Sequence, residues 1–180
     1  MAFKFKKLEI PGVILVEPEL FRDARGFFAE IFKGTMFAGM ASSFVQANVS
    51  KSSKNTLRGL HFQKHPAGQA KLVRVLEGKI FDVAVDIRKK SPHFGKYVSM
   101  TLDSDSMKMF FIPEGFAHGF CVLSDTAKVE YFCTKEYSPE LERGIIFNDN
   151  SLNIAWPVSN PVLSDKDLKY LEFKNIDTNF

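Results

Sequence analysis

Two histidines lie in apolar, glycine-containing segments where an imidazole group could transfer protons. His61 lies in Leu57–Gln63, which reads Leu-Arg-Gly-Leu-His-Phe-Gln, and His118 lies in Phe116–Phe120, which reads Phe-Ala-His-Gly-Phe. The chain has 180 residues and only 4 histidines, so two such settings indicate a pocket rather than a solvated surface. An imidazole has a reference pKa of about 6.5 and therefore suits a general base at neutral pH.

A lysine and a tyrosine in predicted strands could complete such a site. Lys71 precedes the apolar-rich segment 72–76, and Tyr131 lies within the apolar segment 129–133. Taken one at a time, the lysine, the tyrosine and each histidine have purely structural interpretations. They could be an amine that reaches solvent, a phenol at the edge of the core and a buried imidazole whose hydrogen bonds are satisfied. Together, an imidazole, an amine and a phenol in one apolar barrel suit proton transfer next to a carbonyl group.

The spacing of the histidines argues against a metal centre. The segment Pro113–His118 resembles the second motif of the cupin superfamily, whose metal-binding members supply a His-x-His pair in their first motif. Here His61 is followed by His65 instead, and on an extended strand these two lie about 13 Å apart, too far to ligate one ion. We therefore predict no metal, and we expect His65 and His93 to lie at the surface. A metal-dependent cupin oxygenase is kept as an alternative hypothesis.

Short strands must position these residues. Apolar and polar residues alternate in six segments separated by turn-forming residues, at 72–77, 79–88, 97–102, 109–112, 116–123 and 127–133. Such spacing predicts an all-β antiparallel sandwich or barrel, and the lack of a long amphipathic pattern disfavours a doubly wound α/β fold. A helical pattern occurs weakly at 35–40 and again after Ser164, a candidate N-cap that acidic residues follow.

Strand parity makes two structural predictions about the site. In the segment 79–88, Asp82 shares a face with apolar neighbours, so its carboxylate lies either on a solvated outer face or in a polar barrel interior. Arg58 and His61 have opposite parity in a regular strand. If both serve one site, the strand must be distorted, and Gly59 would permit a bulge there.

The composition is that of one globular domain. Of the residues, 45% are hydrophobic and 25% are charged, and a chain of this length buries enough surface to need no metal or disulfide. The net charge of +3 is too small for a nucleic-acid-binding surface, and we expect the basic run 88–90 to lie at a solvated turn. Cys121 and Cys133 are expected to be buried free thiols.

The chain has no segment that predicts membrane insertion or export. No apolar run approaches the roughly 20 residues of a membrane span. The first seven residues alternate between apolar and basic types rather than forming the apolar core of a signal peptide. We therefore expect a cytoplasmic protein that binds neither a membrane nor nucleic acid.

The order and spacing of several motifs resemble those of the dTDP-4-dehydrorhamnose 3,5-epimerase family over nearly the whole length. The segments that carry the resemblance are Phe21–Glu30, Phe44–Asn48, Leu57–Gln63, Gly68–Arg74, Phe81–Arg88, Ile112–Phe120, Tyr131, Trp156–Pro157 and Leu163–Asp167. Each motif alone would be weak, but together they are specific. The resemblance implies one cupin-type domain over 1–180, a double-stranded β-helix of the jelly-roll type with short peripheral helices, N-terminal strands within 1–50 and a helical segment within 164–172.

The resemblance also implies an isomerase of dTDP-L-rhamnose biosynthesis, which serves lipopolysaccharide or another cell-surface polysaccharide. Such an enzyme inverts C3 and C5 of dTDP-4-dehydro-6-deoxy-D-glucose through an enolate and needs no cofactor. By similarity, His61 is the general base and is held by Asp167. Tyr131 is the opposing general acid, and Lys71 stabilises the enolate oxygen.

The other site residues that the resemblance implies bind the dTDP-sugar substrate. They are Arg25, Phe28 (or Phe27), Glu30, Gln46, Asn48, Arg58, His118, Tyr137 and Lys166. The two amides and the last two residues would contact the nucleotide, whereas Arg58 and His118 would surround the sugar and its diphosphate. The family implies a homodimer in which the strand 25–30 enters the neighbouring subunit's site, with its arginine toward the diphosphate and its phenylalanine toward the base.

Two positions depart from the family pattern. Ala47 stands where many members have aspartate, and Phe132 stands where many have a lysine after the catalytic tyrosine. Neither change removes a proton-transfer group, but both could alter the nucleotide contacts or the order of epimerisation. Relatives that invert only C3 or only C5 of a related nucleotide 4-keto sugar share much of the motif set, so a mono-epimerase is one alternative. A cupin sugar-binding module without catalysis is the other.

Overall fold

The computed structural model describes residues 3–41 and 43–180 and is built almost entirely from β-strands. Met1, Ala2 and Ser42 of the predicted domain lie outside the described residues. The strands are β1 (Phe3–Lys7), β2 (Ile14–Pro18), β3 (Phe21–Asp23), β4 (Gly26–Phe28), β5 (Gln46–Ser53), β6 (Leu57–Gln63), β7 (Lys71–Glu77), β8 (Lys79–Asp86), β9 (Tyr97–Asp103), β10 (Met109–Ile112), β11 (Phe116–Val122), β12 (Thr126–Cys133) and β13 (Glu142–Gly144).

The described strands form two antiparallel sheets and a separate hairpin. One sheet has the order β1-β2-β10-β7-β12-β5, the other has the order β13-β6-β11-β8-β9, and β3 pairs only with β4. Neighbouring strands in a sheet are mostly distant in the chain, as the crossovers of a jelly roll require. The predicted all-β, jelly-roll type of fold is therefore confirmed.

Three apolar clusters stabilise this arrangement. The first lies between the two sheets and includes Val73 and Val129 from one sheet and Ile80 and Phe120 from the other. The second covers the outer face of the six-stranded sheet with residues from the segment before β5. The third covers the outer face of the five-stranded sheet with residues of the C-terminal segment. Because both faces of β11 are covered, all seven of its residues are buried.

The predicted strands of the middle of the chain agree with the observed ones to within a few residues at each end. The observed helical segments are shorter than the predicted ones. The described helices are four 3-10 helices of three residues each, at Gly34–Met36, Pro139–Leu141, Asp167–Lys169 and Phe173–Asn175. After the third of these the chain is extended again, because Leu171 forms a parallel bridge with Ile145; tertiary pairing ends the helix that local sequence favoured.

The predicted bulge at Gly59 is present and determines which side chains reach the interior. Between β11 and β6 the register passes from His118 opposite His61 to Phe120 opposite Arg58, so β6 contains one extra residue. Gly59 has φ +116°, and a Cβ there would lie 2.5 Å from the Cα of Gly119. Only glycine fits this position, and the bulge lets Arg58 and His61 line one cavity.

Candidate active site

Two cavities between the sheets share His61, Lys71 and Tyr131, so we treat them as two chambers of one site. The outer chamber has a volume of about 310 Å³ and is lined by Gln46, Asn48, His61, Phe62, Gln63, Gln69, Lys71, Tyr131, Cys133, Tyr137 and Glu142. The inner chamber has a volume of about 150 Å³ and is lined by Ser50, Arg58, His61, Lys71, His118, Phe120 and Tyr131.

His61 forms a hydrogen-bonded pair with Asp167. The distance from His61 Nε2 to Asp167 Oδ1 is 2.5 Å, and the hydroxyl of Ser164 donates to the other carboxylate oxygen at 2.8 Å. Burial alone would raise the pKa of the Asp167 carboxyl, but the hydrogen bonds from His61, Ser164 and the Gly59 backbone outweigh it and hold the pKa below its usual value. An ionised Asp167 accepts from Nε2–H, which leaves Nδ1 as the nitrogen that can take up a proton.

Tyr131 and Lys71 lie on neighbouring strands, β12 and β7, and line both chambers. Burial raises the pKa of the Tyr131 phenol, so the phenol is protonated at neutral pH. Burial lowers the pKa of the Lys71 ammonium, against the opposing effect of nearby acidic groups. The Lys71 Nζ atom lies 6.0 Å from the centroid of the Tyr131 ring.

His118 forms a second imidazole–carboxylate pair with Asp82. The distance from His118 Nε2 to Asp82 Oδ1 is 2.6 Å, and both residues are buried. Asp82 therefore faces the barrel interior, as one of the two alternatives from strand parity predicted. Its second oxygen, Oδ2, is buried and has no hydrogen-bond partner among the described residues. Burial lowers the pKa of the His118 imidazole despite the favourable charge of Asp82, so this ring is neutral at neutral pH.

The outer chamber is lined by polar side chains that are hydrogen-bonded to each other. Gln46 donates to Asn48 Oδ1 at 2.9 Å, and its own carbonyl accepts the backbone N–H of Tyr137 at 2.8 Å. Gln63 accepts the backbone N–H of Ser138 at 2.8 Å. The predicted nucleotide residues Gln46, Asn48 and Tyr137 are thus brought together at this end of the site.

Glu142 is a residue of the site that the sequence analysis missed. It lies on β13, opposite Gln63 of β6, and its carboxylate accepts hydrogen bonds from the Tyr137 hydroxyl at 2.5 Å and from the Lys166 ammonium. Burial would lower the pKa of Lys166, but Glu142 outweighs it and raises the pKa to about 12. The local sequence carries no signal for this role, since β13 has only three residues and its pairing with β6 is tertiary.

Tyr170 is a second residue that the sequence analysis missed. Its ring meets the His61 imidazole edge to face, with centroids 5.5 Å apart and an interplanar angle of 65°. The ring occupies the space beside Gly144, where a Cβ would lie 2.4 Å from it. The Tyr170 hydroxyl is buried and unpaired among the described residues, and burial raises its pKa to about 12. The ring therefore covers one side of His61.

Four predicted binding residues do not line either chamber of this subunit. Lys166 reaches the outer chamber only through its hydrogen bond to Glu142, and the other three belong to the segment 25–30. Arg25 lies in the β3–β4 hairpin, where its side chain is 91% exposed and is paired with Asp23. Phe28 of the same hairpin is 69% exposed, and Glu30, two residues further on, is half-buried. That this hairpin serves a neighbouring subunit stays a prediction.

The two departures from the family pattern face away from the site. Ala47 and Phe132 are directly opposite each other on β5 and β12, on the outer face of the six-stranded sheet. The Phe132 ring stacks on Phe32 with centroids 5.5 Å apart and packs against Phe44. Because neighbouring strand residues alternate in direction, Gln46, Asn48 and Tyr131 face inward while these two face outward. The departures therefore change outer packing rather than the chamber walls.

The remaining histidines and both cysteines take the predicted places. The His65 side chain is 54% exposed and pairs with Glu114, His93 is partly exposed, and Cys121 and Cys133 are buried free thiols. Within residues 3–41 and 43–180 no group of three or more His, Cys, Asp or Glu residues could hold a metal ion. No helix in the same residues has the length and apolar character needed to cross a membrane.

Comparison with known proteins identifies relatives over nearly the whole chain. A family model described as dTDP-4-dehydrorhamnose 3,5-epimerase matches residues 7–175. The protein of that name from Shigella flexneri is 53% identical over 174 residues, covering 95% of this chain and 96% of that protein. The crystal structure of dTDP-6-deoxy-D-glucose-3,5-epimerase from Legionella pneumophila, in complex with dTDP-4-keto-L-rhamnose, is 44% identical with a TM-score of 0.93, covering 97% of this chain and 95% of that one.

A relative with a narrower activity has the same fold. The 3'-monoepimerase from Streptomyces bikiniensis, in complex with dTDP-quinovose, is 33% identical with a TM-score of 0.87 and covers 93% of this chain and 86% of that one. The fold alone therefore does not separate double from single inversion.

Proposed function

We propose, since the chain belongs to the dTDP-4-dehydrorhamnose 3,5-epimerase family, that it inverts C3 and C5 of dTDP-4-dehydro-6-deoxy-D-glucose. The product is dTDP-4-dehydro-L-rhamnose. The observation that carries this proposal is that His61 and Tyr131 line the same two chambers together with Lys71. A base, an acid and an amine around one cavity are what epimerisation beside a ketone needs.

His61 acts as the general base. The C4 ketone acidifies the protons at C3 and at C5, and Nδ1 of His61 takes up one of them. The electron pair of the broken C–H bond moves into the ring as an enolate, whose negative charge is on O4. The carboxylate of Asp167, 2.5 Å from Nε2, stabilises the imidazolium that forms and fixes the tautomer of the resting ring.

Tyr131 returns a proton to the opposite face of the carbon, and this inverts the centre. Its phenol is protonated before the reaction because burial raises its pKa. The Lys71 amine lies beside the Tyr131 ring and stabilises the enolate oxygen; a single donor of this kind contributes about 3 kcal/mol to a transition state. Each inversion leaves a protonated His61 and a Tyr131 phenolate, which exchange protons with solvent before the next inversion.

The two chambers divide the substrate between them. The outer chamber holds the nucleotide, because Gln46, Asn48 and Tyr137 provide amides and an aromatic ring there. The inner chamber holds the sugar beside its diphosphate, because Arg58 provides a cation and His118 a neutral imidazole there. Lys166, paired with Glu142 at the outer chamber, is available to the phosphates of the bound nucleotide.

A homodimer would complete the site. The β3–β4 hairpin exposes Phe21, Phe27 and Phe28 by 53%, 45% and 69%, an apolar surface that a neighbouring subunit would cover. Arg25 on the same hairpin would then reach the neighbour's diphosphate. Mixing an inactive Arg25→Ala protein with an inactive His61→Asn protein should restore activity, since some mixed dimers contain one intact site. An active monomer, or a mixture without activity, would contradict this arrangement.

The reaction is tested by NMR of dTDP-4-dehydro-6-deoxy-D-glucose incubated with the protein in D₂O. We expect deuterium at both C3 and C5 and a product of the L-rhamno configuration. Tyr131→Phe should reduce inversion more than exchange, because His61 still removes the protons. Exchange at one carbon only would indicate the mono-epimerase, and binding without exchange would indicate a sugar-binding module. Activity lost on chelation would indicate the metal-dependent hypothesis. The cytoplasmic location stays a prediction, which cell fractionation would check.

A further inference from the structure

The inner chamber contains a buried aliphatic hydroxyl, that of Ser50, to which the proposed reaction gives no role. Ser50 lines this chamber, and its Oγ atom is buried without a hydrogen-bond partner among the described residues. A serine hydroxyl can donate one hydrogen bond and accept two. Buried polar groups in proteins are nearly always paired, so an unpaired one beside the catalytic residues needs an explanation.

The neighbours of Ser50 on β5 point the same way but are already occupied. Gln46 and Asn48 are hydrogen-bonded to each other at 2.9 Å, and the Ser52 hydroxyl accepts from Arg58 Nε at 3.0 Å. These inward-facing residues alternate with exposed ones along the strand. In this row Ser50 is therefore the member whose side chain has no hydrogen-bond partner among the described residues.

The position of Ser50 along the strand indicates which part of the substrate it meets. Asn48 lines the outer chamber and Ser50 lines the inner one. Two residues of an extended strand span about 6.6 Å, so Ser50 lies about that far beyond the amide that contacts the nucleotide end. The substrate group that reaches Ser50 is thus on the hexose rather than on the base.

We propose that the Ser50 hydroxyl hydrogen-bonds to an oxygen of the hexose and makes Ser50 a specificity-determining residue. This inference rests on the proposed function, because it assigns the inner chamber to the sugar. The other polar side chains of that chamber already have roles in the proposed reaction: two basic groups, two imidazoles and a phenol, from Arg58, Lys71, His61, His118 and Tyr131. A neutral hydroxyl matches a sugar hydroxyl or ring oxygen without adding charge, and a site built to bond an oxygen discriminates strongly against an analogue that lacks it.

The test compares binding of dTDP with binding of dTDP-L-rhamnose, which has no C4 ketone and does not react. By calorimetry, Ser50→Ala should weaken binding of dTDP-L-rhamnose about tenfold, the effect of one hydrogen bond, and leave binding of dTDP unchanged. The kcat/KM for the keto sugar should fall by a similar factor with the pH profile unchanged. The melting temperature should not fall, because the free protein loses no hydrogen bond.

Ser106→Ala is the matched control. Ser106 also has a buried hydroxyl without a partner among the described residues, but it lies in a groove with Phe3 and Lys108, away from both chambers. This variant should keep both affinities and the wild-type kcat/KM. An unchanged ratio of the two affinities in Ser50→Ala would overturn the inference, whether both affinities keep their wild-type values or both fall by the same factor. A wild-type protein that binds both ligands but exchanges no deuterium would instead refute the proposed function, and the affinity ratio would still decide the role of Ser50.

Discussion

Two imidazole–carboxylate pairs have their histidines on facing positions of one sheet, and their surroundings differ. His61 and His118 are directly opposite residues of β6 and β11. The His61 side chain is 30% exposed and the His118 side chain is 8% exposed. The carboxylate of Asp167 has additional hydrogen bonds from Ser164 and Gly59, whereas one oxygen of Asp82 has no partner within the part of the chain that the structure describes.

The difference shows how one pair of residue types can serve two purposes. His61 faces the chambers and pairs with a carboxylate that accepts several hydrogen bonds from the protein. A proton taken up by the His61 ring is therefore stabilised. His118 is enclosed, and burial favours its neutral form. We therefore propose that His61 transfers protons and that His118 contacts the substrate, and the following predictions test that division from the largest expected effect to the smallest.

The largest difference is expected between asparagine substitutions of the two histidines. His61→Asn removes the base and should lower kcat about 1000-fold, within the range for loss of a general base. His118→Asn should keep deuterium exchange at C3 and C5 and mainly raise KM, since it removes a contact rather than the base. Steady-state kinetics and NMR in D₂O measure both. Loss of exchange in His118→Asn to the level of His61→Asn would contradict the division.

A smaller difference is expected between the two carboxylates. Asp167→Asn removes the charge that stabilises the His61 imidazolium and should lower kcat about 100-fold. Asp82→Asn should lower kcat less than tenfold, because His118 stays neutral and an amide oxygen can still accept from its Nε2–H. The ratio of the two kcat losses is the measurement. Equal losses would show that His118 also carries a proton during the reaction.

The buried His118 should also affect the pH dependence of stability. Its pKa is lowered on folding, so the unfolded chain binds a proton near the reference pKa of about 6.5 that the native protein does not. The free energy of unfolding should therefore fall as the pH drops below that value, by at most about 1.4 kcal/mol per pH unit. The pKa of Asp167 is lowered from 3.8, so its contribution is lost only at lower pH.

Urea denaturation of the wild type and of His118→Asn at pH 5, 6 and 7 measures this effect. The variant should show a weaker loss of stability toward pH 5, whatever its stability at pH 7. Identical pH dependence in the two proteins would mean that His118 is not the group that resists protonation.

The smallest effect concerns the aromatic neighbours of the two histidines. Tyr170 covers His61 at 5.5 Å, whereas Phe120 lies 6.3 Å from His118 in a tilted arrangement. Tyr170→Phe keeps the ring and loses only an unpaired hydroxyl, so its kcat should equal the wild-type value. Tyr170→Ala frees the imidazole to rotate and should lower kcat about fivefold, roughly 1 kcal/mol, and change the pH profile of kcat. A loss of similar size in Tyr170→Phe would contradict a purely positional role for the ring.

Much of the fold could be predicted because strand signals are local. Alternation of side chains located β7 to β12 to within a few residues, and parity restricted Asp82 to two faces, of which the interior one is observed. The opposite parity of Arg58 and His61 predicted a bulge at Gly59, which the register confirms. The helical segment near Ser164 was predicted too long, because a bridge to Ile145 competes with the local preference.

The sequence by itself determined the β class and most strand positions and, through motif resemblance, the residues proposed to transfer protons, since alternation and motif spacing are properties of neighbouring residues. Only the tertiary structure decided that Asp82 pairs with His118, that Glu142 and Tyr170 join the site, and that the Ser50 hydroxyl has no hydrogen-bond partner among the described residues. Those facts depend on sheet order, register and the path of the C-terminal segment. They arise from contacts between residues far apart in the chain, about which local pattern carries no information.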